Sequence, residues 1–280
     1  MLKMQCRLYE RTLASSVSLR NGLISLLDQT FPGVNRLFYP VGRETDGHVK
    51  WVDFVHAYWH RDCVTSLSKA RFAESYRRWC QRTRYRFSPD QAERIYASAK
   101  ETVASLPKTE STKLLIRQAV ESLNAVYNIL HTLRGEMLRL AHKLPEYEAV
   151  MTLTGAGKIT EPKLMGEIGD VRRFTSKRAL VAFAGVDAPP YQSGIFESKA
   201  RRIFKRGSPL LRKTLFQMCG VSLQLSDPND PIFVFMDRKR AEGKPFYVYM
   251  VAGAAKILRI YYARVKAHLN ETAETEQSVA

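Results

Sequence analysis

Hydrophobic positions recur every three or four residues through most of this chain, the spacing of helices that bury one face. Residues 1–30 form the first such run. Leu8, Leu13, Val17, Leu23, Leu26 and Leu27 follow helical spacing, and Phe31-Pro32-Gly33 stops it. Residues 34–53, with Pro40, Gly42 and Gly47, read as an irregular connection. Residues 52–105 read as short helices broken near Ser88-Pro89, where Ser88 can cap the next helix with Pro89 in its first turn. The clearest signal covers 113–144, where Ile116, Ala119, Leu123, Val126, Leu130, Leu133, Met137, Leu140 and Leu144 alternate spacings of three and four. That is the seam of a coiled coil, or one face of a long helix buried in its own bundle, and the pattern alone does not choose. The expected fold is all-α: a helical region over 1–105, a long coiled-coil-like arm over 106–145, a compact helical domain over 146–269 and a disordered polar tail over 270–280.

After Pro145 glycines become frequent and basic residues cluster. The stretch from Met151 to Gly169 resembles a helix–hairpin–helix. Gly155 and Gly157 permit positive φ and a nest of backbone N–H groups that accepts a phosphate oxygen. Lys158 adds a full charge, Thr160 can cap the following helix, and Gly169 lies just past its end. The plainer alternative is a glycine turn between two core helices. Ser176 then caps a short apolar helix that Gly185 ends, and Pro189 and Pro190 keep the next segment non-helical up to Ser193-Gly194. Between residues 195 and 215, Lys199, Arg201, Arg202, Lys205, Arg206, Arg212 and Lys213 face a single acid, Glu197. Ser208-Pro209 opens a further helix, and cations near its start oppose the helix dipole unless an anion is bound there. A serine loop beside an arginine cluster suits phosphoryl transfer: serine attacks phosphorus and guanidinium groups stabilise the developing charge. A solvated turn serine beside a DNA-binding face is the commoner arrangement.

Composition sharpens the choice of partner. The net charge of +17 destabilises a compact chain unless a polyanion neutralises it, and nucleic acid supplies that lattice through counterion release. The charge falls in several clusters rather than on one amphipathic helix, and no run of eighteen apolar residues exists, so no membrane partner is expected. The N-terminal stretch lacks an apolar signal core, which predicts a cytoplasmic, nucleoid-associated protein. Cys6, Cys63, Cys80 and Cys219 are too dispersed for a zinc ribbon or a disulfide framework. His56, His60 and Cys63 share a helix face without a fourth ligand, and Asp227 and Asp230 sit in a proline-flanked turn, so neither group is expected to hold a metal. Arg77, Arg78, Arg82, Arg84 and Arg86 interleave with Tyr76, Trp79, Tyr85 and Phe87, which suits either stacking on single strands or a helix with an aromatic inner face. Ala252-Gly-Ala-Ala255 permits close helix approach.

Taken together, Leu153-Thr-Gly-Ala-Gly157, Glu167-Ile-Gly-Asp170, Arg173-Phe174, Leu180-Val-Ala-Phe-Ala-Gly185, Tyr191-Gln-Ser-Gly194, Lys205-Arg-Gly-Ser-Pro209 and Leu211-Arg212 resemble the C-terminal domain of insertion-sequence 110/116/902 family transposases, over about residues 148–265. The resemblance implies RNA-guided DNA cutting and rejoining, with Ser193 forming the covalent link to DNA. It implies DNA contact for the basic run after Ser193, and with the hairpin residues Gly155, Gly157 and Lys158 the expected nucleic-acid contacts are Gly194, Lys199, Arg201, Arg202, Lys205, Arg206, Arg212 and Lys213. The implied partners are DNA and a guide RNA made by the element, and the 113–144 seam adds further copies of the chain held through the helical arm. Family members begin with a resolvase-type domain whose four acids bind Mg²⁺. No such strand-borne acids occur here, so no cofactor is expected in this chain, and a truncated transposase of weak activity is. The rival expectations are a non-catalytic nucleic-acid-binding remnant and a coiled-coil interaction protein built on 113–144.

Overall fold

The computed structural model describes residues 1–38, 47–187, 192–193, 196–197, 203 and 205–279, without the side chains of 192–193, 196–197, 273 and 275–279. It is all-α. Among the described residues the helices are α1 (Leu2–Thr30), α2 (Lys50–Ala57), α3 (Asp62–Thr65), α4 (Lys69–Arg82), α5 (Pro89–Glu101), α6 (Glu110–Ala141), α7 (Tyr147–Met151), α8 (Thr160–Ile168), α9 (Lys177–Ala184), α10 (Pro209–Leu225), α11 (Pro231–Ala241) and α12 (Phe246–Val279). The one sheet among the described residues pairs β1 (Gln192–Ser193) with β2 (Phe196–Glu197). None of these helices is long and apolar enough to cross a membrane. The chain divides into two compact units, Tyr9–Thr132 and Met1–Leu8 with Leu133–Ala280, so the divisions fall within α1 and α6.

In the unit Tyr9–Thr132, Leu23, Leu27 and Phe31 of the α1 end share one core with Phe54, Phe72 and Ile95. Ile116, Val120 and Leu123 of α6 belong to the same core. The first part of the seam over 113–144 is thus used inside this unit, and Met137 and Ala141, further along α6 in the other unit, are buried as well. Its apolar stripe serves a bundle rather than standing open for a coiled-coil partner. The arginine–aromatic stretch resolves in the same direction. Tyr76 stacks on Trp79 at 5.7 Å and Trp79 on Tyr85 at 5.5 Å, and both Tyr76 and Trp79 are buried. Aromatics three residues apart on α4 share its inner face, so these rings are core and not a stacking platform for bases. Arg77 and Arg78 on the outer side are held by Glu74, each with Nε 2.9 Å from a carboxylate oxygen. His60 is buried, with Nε2 3.1 Å from Leu106 O, in a packing role.

In the other unit α10 packs on α8 and α12, while α9 and α11 pack on α12. Local signals set the helix starts. Ser176 and Ser208 accept from the N–H groups of Ala179 and Leu211, and Asp230 accepts from Ile232 and Phe233 N–H. Asp230 therefore caps α11 and also takes the Ser222 hydroxyl, and Asp227 holds the turn through Asn229 N–H. Gly253 of α12 lies where a Cβ would stand 3.0 Å from Cys219 Sγ, which is the close helix approach expected of the small-residue run. The tail expected to be disordered instead continues α12 as helix to Val279. Glu271, Glu274, Glu276 and Gln277 are good helix formers, which a reading of polarity alone overlooks.

Glu167 of α8 is the unit's buried ionic anchor. Arg7 donates to it through Nε at 2.8 Å and Nη2 at 3.2 Å, and Lys3 lies 3.7 Å away. Burial alone would raise its carboxyl pKa, but hydrogen bonds from Arg7 and the Ser208 hydroxyl, with the charges of Lys3 and Arg7, hold it below the usual range.

Candidate nucleic-acid interface

The glycine hairpin takes a form other than the nest read from its sequence. Gly155 adopts φ +79°, and a Cβ there would stand 2.8 Å from both Cα and O of Met218, so this turn lies directly on the α10 backbone. Gly157 has its N–H engaged, donating to Thr160 Oγ1 at 2.9 Å, while Thr160 Oγ1 donates to Gly155 O at 2.9 Å. Thr160 therefore closes the turn instead of capping α8, whose cap position, Ile159, makes no side-chain bond. These glycines serve packing and turn closure. Lys158 is exposed beside them.

The start of α8 is also electrostatically unsuited to an anion. Glu161 in its first turn is fully buried, and neither carboxylate oxygen has a hydrogen-bond partner. Burial and the nearby Glu148 charge raise its pKa to about 7. The folded pKa lies above the unfolded value, so the folded chain holds a proton that the unfolded chain gives up from about pH 4.5 to 7. Stability falls as pH rises through that window, and the cost persists above it. Replacing Glu161 by Gln is expected to raise the melting temperature at pH 8, by a stabilisation on the order of 2 kcal/mol, and to have little effect at pH 4. Equal effects at both pH values would show that the carboxyl does not titrate in this way.

The more telling geometry is at the other end of α9. Gly185 ends this helix in the left-handed region at φ +65°, and its O accepts from Lys205 N at 3.2 Å. A Cβ on Gly185 would stand 2.7 Å from Gly207 N, and a Cβ on Gly207 would meet the backbone of Phe183 and Ala184. Only two glycines allow this crossing. Arg212 fastens it: Nη1 donates to Gly207 O at 2.8 Å and to Ala184 O at 3.2 Å. One of these carbonyls, Ala184 O, ends α9, where a cation is favoured, which offsets the guanidinium's unfavourable place near the start of α10. The effect is a clip that ties together the two ends of the segment 186–204. Within that segment Ser193 pairs with Phe196 and Gln192 with Glu197.

A cleft of about 1150 Å³ opens beside the clip. Arg178 and Val181 of α9, Arg212 and Phe216 of α10, Tyr247 and Arg259 of α12 line it, with Asp187 and Lys205 at the clip itself. Four basic side chains and one acid therefore share its lining. Arg178 and Arg259 are exposed and enter no ion pair among the described residues. The small side chains Ala252 and Ala255 leave the space between α12 and the other walls. Asp187 Oδ1 is buried and has no hydrogen-bond partner.

Of the residues singled out in the sequence, Lys205 and Arg212 line this cleft, and Arg212 is largely occupied as the clasp. Arg206 and Lys213 are exposed on the same stretch and do not line it. Ser193 is described in its backbone only, and Gly194, Lys199, Arg201 and Arg202 lie outside the described residues. Sequence reading missed Arg178, Asp187, Tyr247 and Arg259. For Arg178 a signal existed: the first turn of α9 carries cations and no acid, as does that of α10. For Arg259 there was none, since only the fold brings α12 beside α9. Among the described residues no three His, Cys, Asp or Glu come together as a metal site.

A match to a known family falls on this region. Residues 147–231, from the first residue of α7 to the first of α11, match the model of the Transposase IS116/IS110/IS902 family. A pilin gene-inverting protein of Moraxella bovis is 34% identical over 116 residues, which are 41% of this chain and 35% of that protein. The pilin gene-inverting protein of Moraxella lacunata shows the same identity and coverage, 34% over 116 residues. The matched stretch thus spans about a third of the length of these relatives.

Proposed function

We propose that this chain handles DNA in a cutting-and-rejoining reaction of the transposase or gene-inversion class, with the phosphate backbone held in the cleft at the base of the Ser193 hairpin. The observation that carries this reading is the convergence of Arg178, Lys205, Arg212 and Arg259 where the two ends of the serine-bearing segment are clipped together. The net charge of +17 and the likeness of residues 147–231 to transposases support it.

In this reading the Ser193 hydroxyl oxygen attacks phosphorus. A bond forms between serine and phosphate, the bond to the departing sugar oxygen breaks, and that oxygen takes up a proton. The reverse attack by the sugar hydroxyl of another DNA end restores a phosphodiester and frees the serine. The cleft guanidinium groups stabilise the charge that builds on the phosphate oxygens. A guide RNA belongs to the same proposal as a second polyanion for the basic surface. The resemblance also brings Mg²⁺ held by acids of a resolvase-type domain. The described side chains here offer no such donor set, and no step is routed through a metal.

The test uses two residues that are exposed and outside the core. Replacing Arg178 and Arg259 together by Gln is expected to weaken DNA binding uniformly across sequences. It should also reduce the slope of log affinity against log salt by about 2, roughly one per lost phosphate contact. An unchanged slope would remove the cleft from the interface.

A further inference from the structure

Granted its role as a nucleic-acid site, on which this inference rests, the cleft is built for more than a phosphate backbone. Of its basic side chains Arg178, Lys205 and Arg259 are exposed, whereas its apolar lining of Val181, Phe216, Val251, Ala252 and Ala255 is buried or half-buried and forms the floor a ligand would meet. A duplex backbone has nothing to place against such a floor, while the faces of a nucleobase match it. The cleft volume of about 1150 Å³ accommodates a nucleotide with room to spare. Tyr247 stands at the mouth 76% exposed, meeting Phe246 edge-on at 5.3 Å between ring centres and leaving its ring available for a stacking partner. Asp187 Oδ1, buried without a donor in spite of the nearby cations, is a polar group that folding desolvates and leaves unmatched.

We propose that the cleft takes one unpaired nucleotide of a DNA strand. Its base stacks on Tyr247 over the apolar floor, its exocyclic amino group donates to Asp187, and its phosphate lies between Arg178 and Arg259. A carboxylate can accept from the amino group of cytosine but is repelled by the carbonyl that thymine carries at the same place, so the site prefers amino-bearing bases. This makes the cleft a reader of a strand opened out of the duplex, not merely a grip on its backbone.

The experiment measures binding of short oligo(dC), oligo(dT) and duplex DNA to the full chain in mildly alkaline buffer. Oligo(dC) is expected to bind about five- to tenfold more tightly than oligo(dT). Asp187→Asn, whose amide can donate to the thymine carbonyl, is expected to abolish or invert that preference with the melting temperature unchanged. Tyr247→Ala is expected to weaken both single strands about tenfold and leave duplex affinity alone, and Tyr247→Phe to keep wild-type affinity. Equal affinity for the two oligomers, unmoved by Asp187→Asn, overturns the inference. So does a Tyr247→Ala loss shared equally by duplex DNA. An oligo(C) RNA series binding about tenfold more tightly than the DNA series overturns the assignment to a DNA strand. The Arg178→Gln/Arg259→Gln chain separates this idea from its premise. If that variant binds every probe as the wild type does, the cleft is no nucleic-acid site. If it binds all of them more weakly while cytosine and thymine remain equivalent, only the base-reading role is lost.

Discussion

Replacing Gly155 by Ala is expected to lower the melting temperature by roughly 6–12 °C, the equivalent of about 3 kcal/mol in a chain of this size. Two costs combine. The left-handed backbone at φ +79° carries a penalty of about 1 kcal/mol for any residue with a Cβ. The new methyl would also stand 2.8 Å from Met218 Cα and O, and backbone atoms of a packed helix cannot swing aside as a side-chain tip can. Forcing α8 and α10 apart adds about 2 kcal/mol, in the usual range for overpacking. Gly157 is the control two residues away. Its φ is not positive, and the nearest atom to an added Cβ is Thr160 Oγ1 at 3.8 Å, so Gly157→Ala is expected to shift melting by only a few degrees. Thermal melts of the two variants decide the matter. If Gly155→Ala melts like the wild type yet binds DNA poorly, the hairpin is a phosphate cradle after all and the packing account is wrong.

Ser193→Ala is expected to remove the covalent protein–DNA adduct altogether, a loss on the order of 10³-fold or more, while DNA affinity changes by less than about twofold. The asymmetry follows from the assignment of roles. Affinity comes from cations that neutralise phosphates, and a neutral hydroxyl adds little to it. Bond formation to phosphorus has no substitute once the oxygen is gone. The measurement is an adduct assay on a DNA substrate whose rejoining is blocked, so that the protein-linked strand accumulates and is resolved after denaturation. An adduct that survives Ser193→Ala places the nucleophile elsewhere. Equal loss of adduct and of binding would instead give the serine a structural part.

The features legible in the sequence were the ones decided locally. Ser88, Ser176 and Ser208 each cap the helix that comes after them, because a serine hydroxyl and an N–H three residues on need nothing from the rest of the fold. Gly185 ends α9 for an equally local reason, its positive φ. Periodicity over 113–144 showed that one face of α6 is buried but could not show against what, and the answer is the chain's own core. The same limit applies to Tyr76 and Trp79, whose interleaving with arginines is compatible with a surface platform until Phe54 and Phe72 are seen to enclose them. Gly155 was noticed for its conformational freedom, whereas the decisive fact is the backbone of Met218, more than sixty residues further on. Likewise the basic run after Ser193 pointed to the right neighbourhood, yet Arg212 acts there mainly as a clasp. Arg178 and Arg259, the exposed cations of the cleft, are brought together only by the packing of α9 on α12.

Photocrosslinking locates the nucleic acid most directly. DNA carrying 5-iododeoxycytidine, irradiated in complex with the chain and then subjected to peptide mapping, should attach to the aromatic residues of the cleft, Tyr247 at the start of α12 and Phe216 of α10. Crosslinks confined to the arginine-rich face of α4, with Tyr247 and Phe216 untouched, would contradict the account.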